Sequence, residues 1–164
     1  MIFETHLDDF ERYRDLLIED RPDASSDTAT HGGYQKYLHI QEGVRYTMVV
    51  QNIMNKLFEE NNTSLKVTKC INKWIVNYQP GGWQALHAHA RRGESIFSTI
   101  LYFDESSNDP FDGVFVVVKD NQLFTYKPTP GKLMIIDGKL LHCAYPTSTK
   151  RSVIVVDYEV QKND

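Results

Sequence analysis

From Ser64 onward the chain is a succession of short runs rich in β-branched and aromatic residues, broken by turns at close spacing. The runs are Leu65–Tyr78, Ser95–Phe103, Val114–Lys119, Leu123–Tyr126, Lys132–Asp137 and Ser152–Val160. Turn residues separate them at Gly81-Gly82, Asn108–Gly113, Asp120-Asn121 and Pro128–Gly131. Many short strands with little chain between them can bury their apolar faces only as an antiparallel sandwich or barrel. Before Ser64 the period changes. Leu7–Glu19 places Leu7, Phe10, Arg14 (by its stem), Leu17 and Ile18 on one helical stripe, and Val44–Asn61 does the same with Met48, Val49, Ile53, Met54, Leu57 and Phe58, stopping at Asn61-Asn62. The Pro-, Asp-, Ser- and Gly-containing stretch Arg21–Gly33 between them reads as a long loop, a lid or a loosely ordered connection. Helices followed by strands predict an α+β chain with a jelly-roll barrel, organised as a single domain over 1–164: helical support over 1–62 and barrel over 63–164.

Composition excludes several function classes. A formal charge of −4 does not suit broad nucleic-acid binding, which needs a surplus of Lys and Arg to displace counterions. No apolar run approaches the roughly 20 residues that span a bilayer, and the acidic, amphipathic N-terminus has no signal-peptide pattern. Two cysteines, Cys70 and Cys143, are too few for a disulfide framework, so a reducing cytoplasm is the expected address. The sequence contains no G-x-S-x-G elbow, no phosphate-binding glycine loop and no C-x-x-C pair.

Three of the six histidines have a spacing that can carry chemistry. His87 and His89 are two apart, after a Gly-Gly turn and before a strand, and on extended backbone such residues point to one side. His142 follows the Lys132–Asp137 strand and a Gly138 turn, so only the fold could bring it beside the pair. Neutral imidazole is a ligand for zinc, iron, copper and nickel. A lone His-x-His is usually surface decoration, and His6, His31 and His39 are background; the flanking residues distinguish this pair.

Those residues are Tyr78-Gln79-Pro80-Gly81-Gly82-Trp83-Gln84-Ala85-Leu86-His87-Ala88-His89, then Pro130 through His142, then Arg151 nine positions further on. The arrangement over Lys73–Tyr158 resembles the double-stranded β-helix oxygenases that use iron(II) and 2-oxoglutarate, and the prolyl-hydroxylase type most of all. The resemblance implies a jelly-roll, cupin-like barrel with bracing helices and an oxygenase acting as a hydroxylase. It implies iron(II) on His87, His89 and His142, 2-oxoglutarate on Arg151 and Tyr102, O2 as the oxidant, and room for ascorbate as an accessory reductant. A guanidinium suits the cosubstrate's far carboxylate because it can donate two parallel hydrogen bonds. Tyr78 and Trp83 would wall the pocket.

The chain also departs from that pattern. His89 stands where the family usually carries Asp or Glu, so three neutral imidazoles would leave a divalent charge uncompensated. Gly81 through His87, His89 and Glu94 also resembles the first cupin motif, which makes Glu94 a possible extra ligand; the second cupin motif is missing, because His142 lies eleven positions beyond Gly131. Two alternatives stay open: a cupin-like three-histidine dioxygenase working without 2-oxoglutarate, and a non-catalytic metal-binding β-barrel module. Arg91 and Arg92 lie just beyond the histidine pair, and Cys143 is expected to alternate away from the ligand face. Substrate type is open among protein side chain, nucleobase and small molecule.

Overall fold

In the computed structural model, which describes residues 1–17, 29–91 and 93–163, the β-patterned runs pair into one antiparallel system. The strands are β1 (Ile2–His6), β2 (Thr30–Tyr37), β3 (Leu65–His87), β4 (Ile96–Tyr102), β5 (Phe115–Lys119), β6 (Gln122–Tyr126), β7 (Lys132–Asp137), β8 (His142–Ala144) and β9 (Arg151–Lys162). Their order is β1-β7-β4-β9-β3-β8-β5-β6, and β2 lies along the other edge of β3. Among the described residues, no helix is long and apolar enough to cross a membrane.

The N-terminal part differs from expectation. Two strands lie within it: β1 pairs with β7, and β2 pairs with β3 from Thr30↔Gln84 to Tyr37↔Trp74. Gly32 and Gly33, read from sequence as loop, therefore belong to a strand; residues 21–28 of that stretch lie outside the described residues. The first helical stripe is a 3-10 helix over Phe10–Leu17 that buries Tyr13, with Leu7 buried just ahead of it. Ile18, Glu19 and Arg92 are outside the described residues.

The second helix forms as expected, as α1 (Val44–Glu60), but its buried stripe is rotated. Tyr46, Val50, Met54 and Phe58 face the sheet at four-residue spacing, whereas Met48 is 60% exposed. The stripe read from sequence left out Tyr46, whose ring makes an edge contact with Tyr13 at 5.0 Å. The Tyr158 hydroxyl donates to the Thr47 carbonyl at 2.9 Å, tying α1 to β9.

Strand alternation divides the sheet into two apolar layers. Phe97, Leu101, Leu133, Ile135, Ile154, Val156 and Tyr158 pack under α1. Their neighbours of opposite parity, among them Trp74, Val76, Ile100, Met134, Val153 and Val155, form the layer inside the barrel. The Gly81-Gly82 turn is a bulge within one long strand: β3 pairs with β9 up to Tyr78↔Arg151, then with β8 from Gln84↔Ala144 to His87↔His142. Gly81 at φ 82° supplies a left-handed step there without a Cβ penalty.

Phe58 is fully buried and meets Phe3 and Phe97 edge-on at 5.8 and 5.2 Å. Phe58→Ala is expected to lower stability by about 3–5 kcal/mol, read from the urea midpoint at unchanged slope. A loss below about 1 kcal/mol would contradict this packing of α1 on the sheet.

Candidate metal centre

The bulge in β3 and the short strand β8 bring the distant histidine to the pair. His87 and His142 are direct cross-strand partners, and His89 follows two residues later, where its amide donates to the Gly138 carbonyl at 2.9 Å. One nitrogen from each of His87, His89 and His142 lies within 4.8 Å of the other two. Nδ1 of His87 is 2.7 Å from the Ala85 carbonyl, and Nδ1 of His142 is 3.0 Å from the Leu140 carbonyl. A carbonyl only accepts, so both Nδ1 atoms carry the proton and Nε2 is the lone-pair nitrogen. His87 Nε2 and His89 Nε2 face one another at 3.2 Å. Facing lone pairs repel, and a cation between them removes that repulsion; this donor set fits a divalent metal.

The third imidazole has a different partner. His89 Nδ1 lies 2.8 Å from Asp157 Oδ1 and 2.6 Å from Ser98 Oγ, and Ser98 Oγ donates to the same Asp157 oxygen at 2.6 Å. Ser98 and Asp157 are opposed across β4 and β9, and both are buried. Burial, then the neighbouring His87 and His89, push the pKa of His142 down to about 3, against a small lift from its bond to Leu140. It is thus a neutral imidazole at any physiological pH.

Arg151 anchors the other end of the same cleft. Its side chain is buried, Nη1 donates to the Gly113 carbonyl at 2.9 Å, and Nη2 is 4.0 Å from Asp112 Oδ2. Among the described residues, Nε and Nη2 have no hydrogen-bond partner. Buried charged donors left unmatched are costly, and these two could donate to an anionic ligand. The cleft runs from His89 and His142 to Arg151 and is walled by Trp74, Tyr78 and Tyr102. A Cβ at Gly113, where φ is 58°, would overlap the guanidinium. The residues present therefore fit a ligand with a carboxylate at one end and metal-directed oxygens at the other.

The other sequence candidates divide. Tyr102 is buried beside Tyr78 and Arg151; burial, then Tyr78, raises its pKa well above the ordinary phenol value, so it remains a donor. The Tyr78 hydroxyl bonds Gln84 Oε1 at 3.2 Å. Trp83 is 40% exposed and stacks on His31 at 4.2 Å, outside the cleft; Trp74 takes the wall position expected of it. Glu94 is exposed and accepts from the Arg91 amide at 2.7 Å, apart from the histidine cluster. Cys143 sits between His142 and Ala144 on β8, with opposite parity to both, and is a free thiol like Cys70. Sequence reading missed Ser98, Asp157, Trp74, Asp112 and Gly113.

Asp112 fixes the loop that presents Gly113 to Arg151. It accepts from the amides of Ser107 and Ser148 at 2.5 and 2.6 Å and from the Ser148 hydroxyl at 3.0 Å. Burial works to raise its pKa, but these bonds outweigh burial and hold it down at about 2. A depressed carboxylate stabilises the fold above its ordinary pKa of 3.8, and that contribution fades as pH falls through about 2. Asp112→Ala should therefore cost about 1–3 kcal/mol at pH 7, a deficit that narrows below pH 4. Urea midpoints of both proteins at pH 7 and pH 3 check this; equal deficits would contradict it.

The sequence matches no protein-family model and no curated protein. Its structure, however, resembles solved ones. A Pseudomonas putida prolyl-4-hydroxylase superimposes with a TM-score of 0.72 at 14% identity, over 99% of this chain and 92% of that one. A 2OG-Fe(II) oxygenase family oxidoreductase from Burkholderia pseudomallei gives 0.70 at 12% identity, over 96% and 84%. HygX from Streptomyces hygroscopicus, solved with nickel, 2-oxoglutarate and hygromycin B, gives 0.67 at 12% identity, over 96% and 82%. The chain has the jelly-roll, double-stranded β-helix fold of these oxygenase structures.

Proposed function

We propose that this protein is an iron(II)- and 2-oxoglutarate-dependent oxygenase that hydroxylates a substrate whose chemical class is open among protein side chains, nucleobases and small molecules. The observation that carries the reading is a cleft with His89 and His142, converging with His87, at one end and a buried, half-matched guanidinium at the other. The likeness to HygX, which binds nickel and 2-oxoglutarate, supports the same pair of ligands here.

When bound, iron(II) with 2-oxoglutarate and O2 supplies the oxidising power to convert a C–H bond to C–OH, releasing succinate and CO2. His87, His89 and His142 hold the metal through Nε2, each ring kept in one tautomer by its Nδ1 bond. Arg151 receives the distal carboxylate of the cosubstrate on Nε and Nη2, with Tyr102 as a further donor. Trp74, Val153 and Val155 line the cleft between the two ends and exclude water from it. Ascorbate would serve as an accessory reductant. We treat the chain as one domain and place it in a reducing cytoplasm, where two free thiols and ferrous iron are both maintained.

A cupin-like dioxygenase without 2-oxoglutarate would share the histidines but leave the unmatched donors of Arg151 without a purpose. Anaerobic titration of iron(II) and 2-oxoglutarate separates the readings. The folded protein should develop a visible metal-to-ligand charge-transfer band with one equivalent of each. Arg151→Ala should weaken 2-oxoglutarate binding about 100-fold while leaving metal affinity within threefold, and His142→Ala should abolish the band. A metal-loaded, folded wild type with no band would overturn the proposal. Full 2-oxoglutarate affinity in Arg151→Ala would favour the cupin-like reading, and a band without succinate release would favour a non-catalytic module.

A further inference from the structure

The three candidate ligands are not equivalent, and the difference lies behind them. His87 and His142 each rest on a main-chain carbonyl, whereas His89 rests on the Asp157 carboxylate. Asp157 is only 6% exposed, and its ion-pair contact within 4.0 Å, among the described residues, is with His89. Its Oδ1 takes a second hydrogen bond from Ser98, itself fully buried. An isolated carboxylate at this depth is unfavourable, and a divalent ion on three neutral imidazoles is equally unbalanced. The imidazole of His89 lies between the two charges, its Nδ1 toward the carboxylate and its Nε2 toward the metal position.

We infer that Asp157 is the charge-compensating residue of the metal centre, acting through His89. Resting on the function proposed above, this assigns Asp157 a positioning and tuning role. By accepting a short hydrogen bond from Nδ1–H, the carboxylate makes the His89 ring more electron-donating at Nε2. No proton needs to leave the ring for this effect. Ser98 holds the carboxylate oxygen in place from the opposite strand, so that β4 and β9 together set the orientation of a ligand that begins just beyond β3. The metal and the buried carboxylate stabilise each other, and loss of either leaves the other unbalanced.

Asp157→Asn removes the charge while keeping an oxygen that can accept from Nδ1. Anaerobic titration with cobalt(II) alone, followed by its visible absorption, should show metal affinity falling 10–100-fold on this substitution. Ser98→Ala, which retains the charge, should stay within about threefold of wild type, because only the contacts of a neutral hydroxyl with the carboxylate and with His89 Nδ1 are lost. With iron(II) and 2-oxoglutarate, the charge-transfer band of Asp157→Asn should move to shorter wavelength, since a less donating His89 lowers the metal electrons in energy. A purely structural role would weaken both variants alike and leave the band where it was; either result would overturn the inference. Wild type that binds cobalt(II) together with an Asp157→Asn variant of equal affinity would sink this inference alone, whereas wild type that binds no metal would sink the proposed function itself. Should Asp157→Asn not fold, imidazole 15N–1H spectra of the zinc(II)-loaded wild type decide. The His89 Nδ1–H proton should resonate well downfield of those of His87 and His142, and three similar shifts would refute the assignment.

Discussion

The structure depends on the cross-strand register that sets His87 opposite His142. A slip of one residue between β3 and β8 would turn His142 to the outer face and bring Cys143 inward. The register is held on both sides. Ahead of it, Gly81 N–H donates to the Thr147 carbonyl at 2.6 Å, and Thr147 N–H donates back to Gly82 at 3.0 Å; beyond it, Gly138 receives the amides of His89 and Ala90. The convergence of the three histidines is thus defined by main-chain pairing before any side chain is considered.

The inner face of β9 ties that position to the rest of the cleft. Arg151, Val153, Val155 and Asp157 share a parity, so one strand carries a cation, two apolar residues and an anion in sequence along the barrel interior. Each charge sits where a ligand of opposite sign would complete it. Arg151 is held by the Gly113 carbonyl, which the Asp112 loop presents, and Asp157 by Ser98. Between them, Val153 and Val155 keep the middle of the cleft apolar, which strengthens electrostatic interactions at both ends.

Much of this was legible in the chain because strand alternation is a strong signal where it is unbroken. The runs from Ser95 to Val160 became β4–β7 and β9 within a residue or two, the three-residue β8 having no run of its own, and the convergence of His87, His89 and His142 followed from spacing together with the expected barrel. Parity failed where β3 bulges. The inward set Trp74, Val76, Tyr78 continues to Gln84 but changes parity before His87, so counting back from His87 turns Trp83 inward although it lies outside. β2 was hidden because Thr30–Tyr37 is polar and carries Gly32-Gly33; it pairs because Gly33 permits an approach to Asn77 that a side chain would block. Asp157 left a signal that went unread: a carboxylate set directly among Val155, Val156 and Tyr158, on the parity of Arg151.

Iron K-edge X-ray absorption of the anaerobically loaded protein tests the central claim most directly. Multiple scattering from three imidazole rings around a single iron is the expected result, falling to two in His142→Ala. A spectrum with one ring or none, in protein that is folded and holds one equivalent of iron, would show that the three histidines do not share a metal.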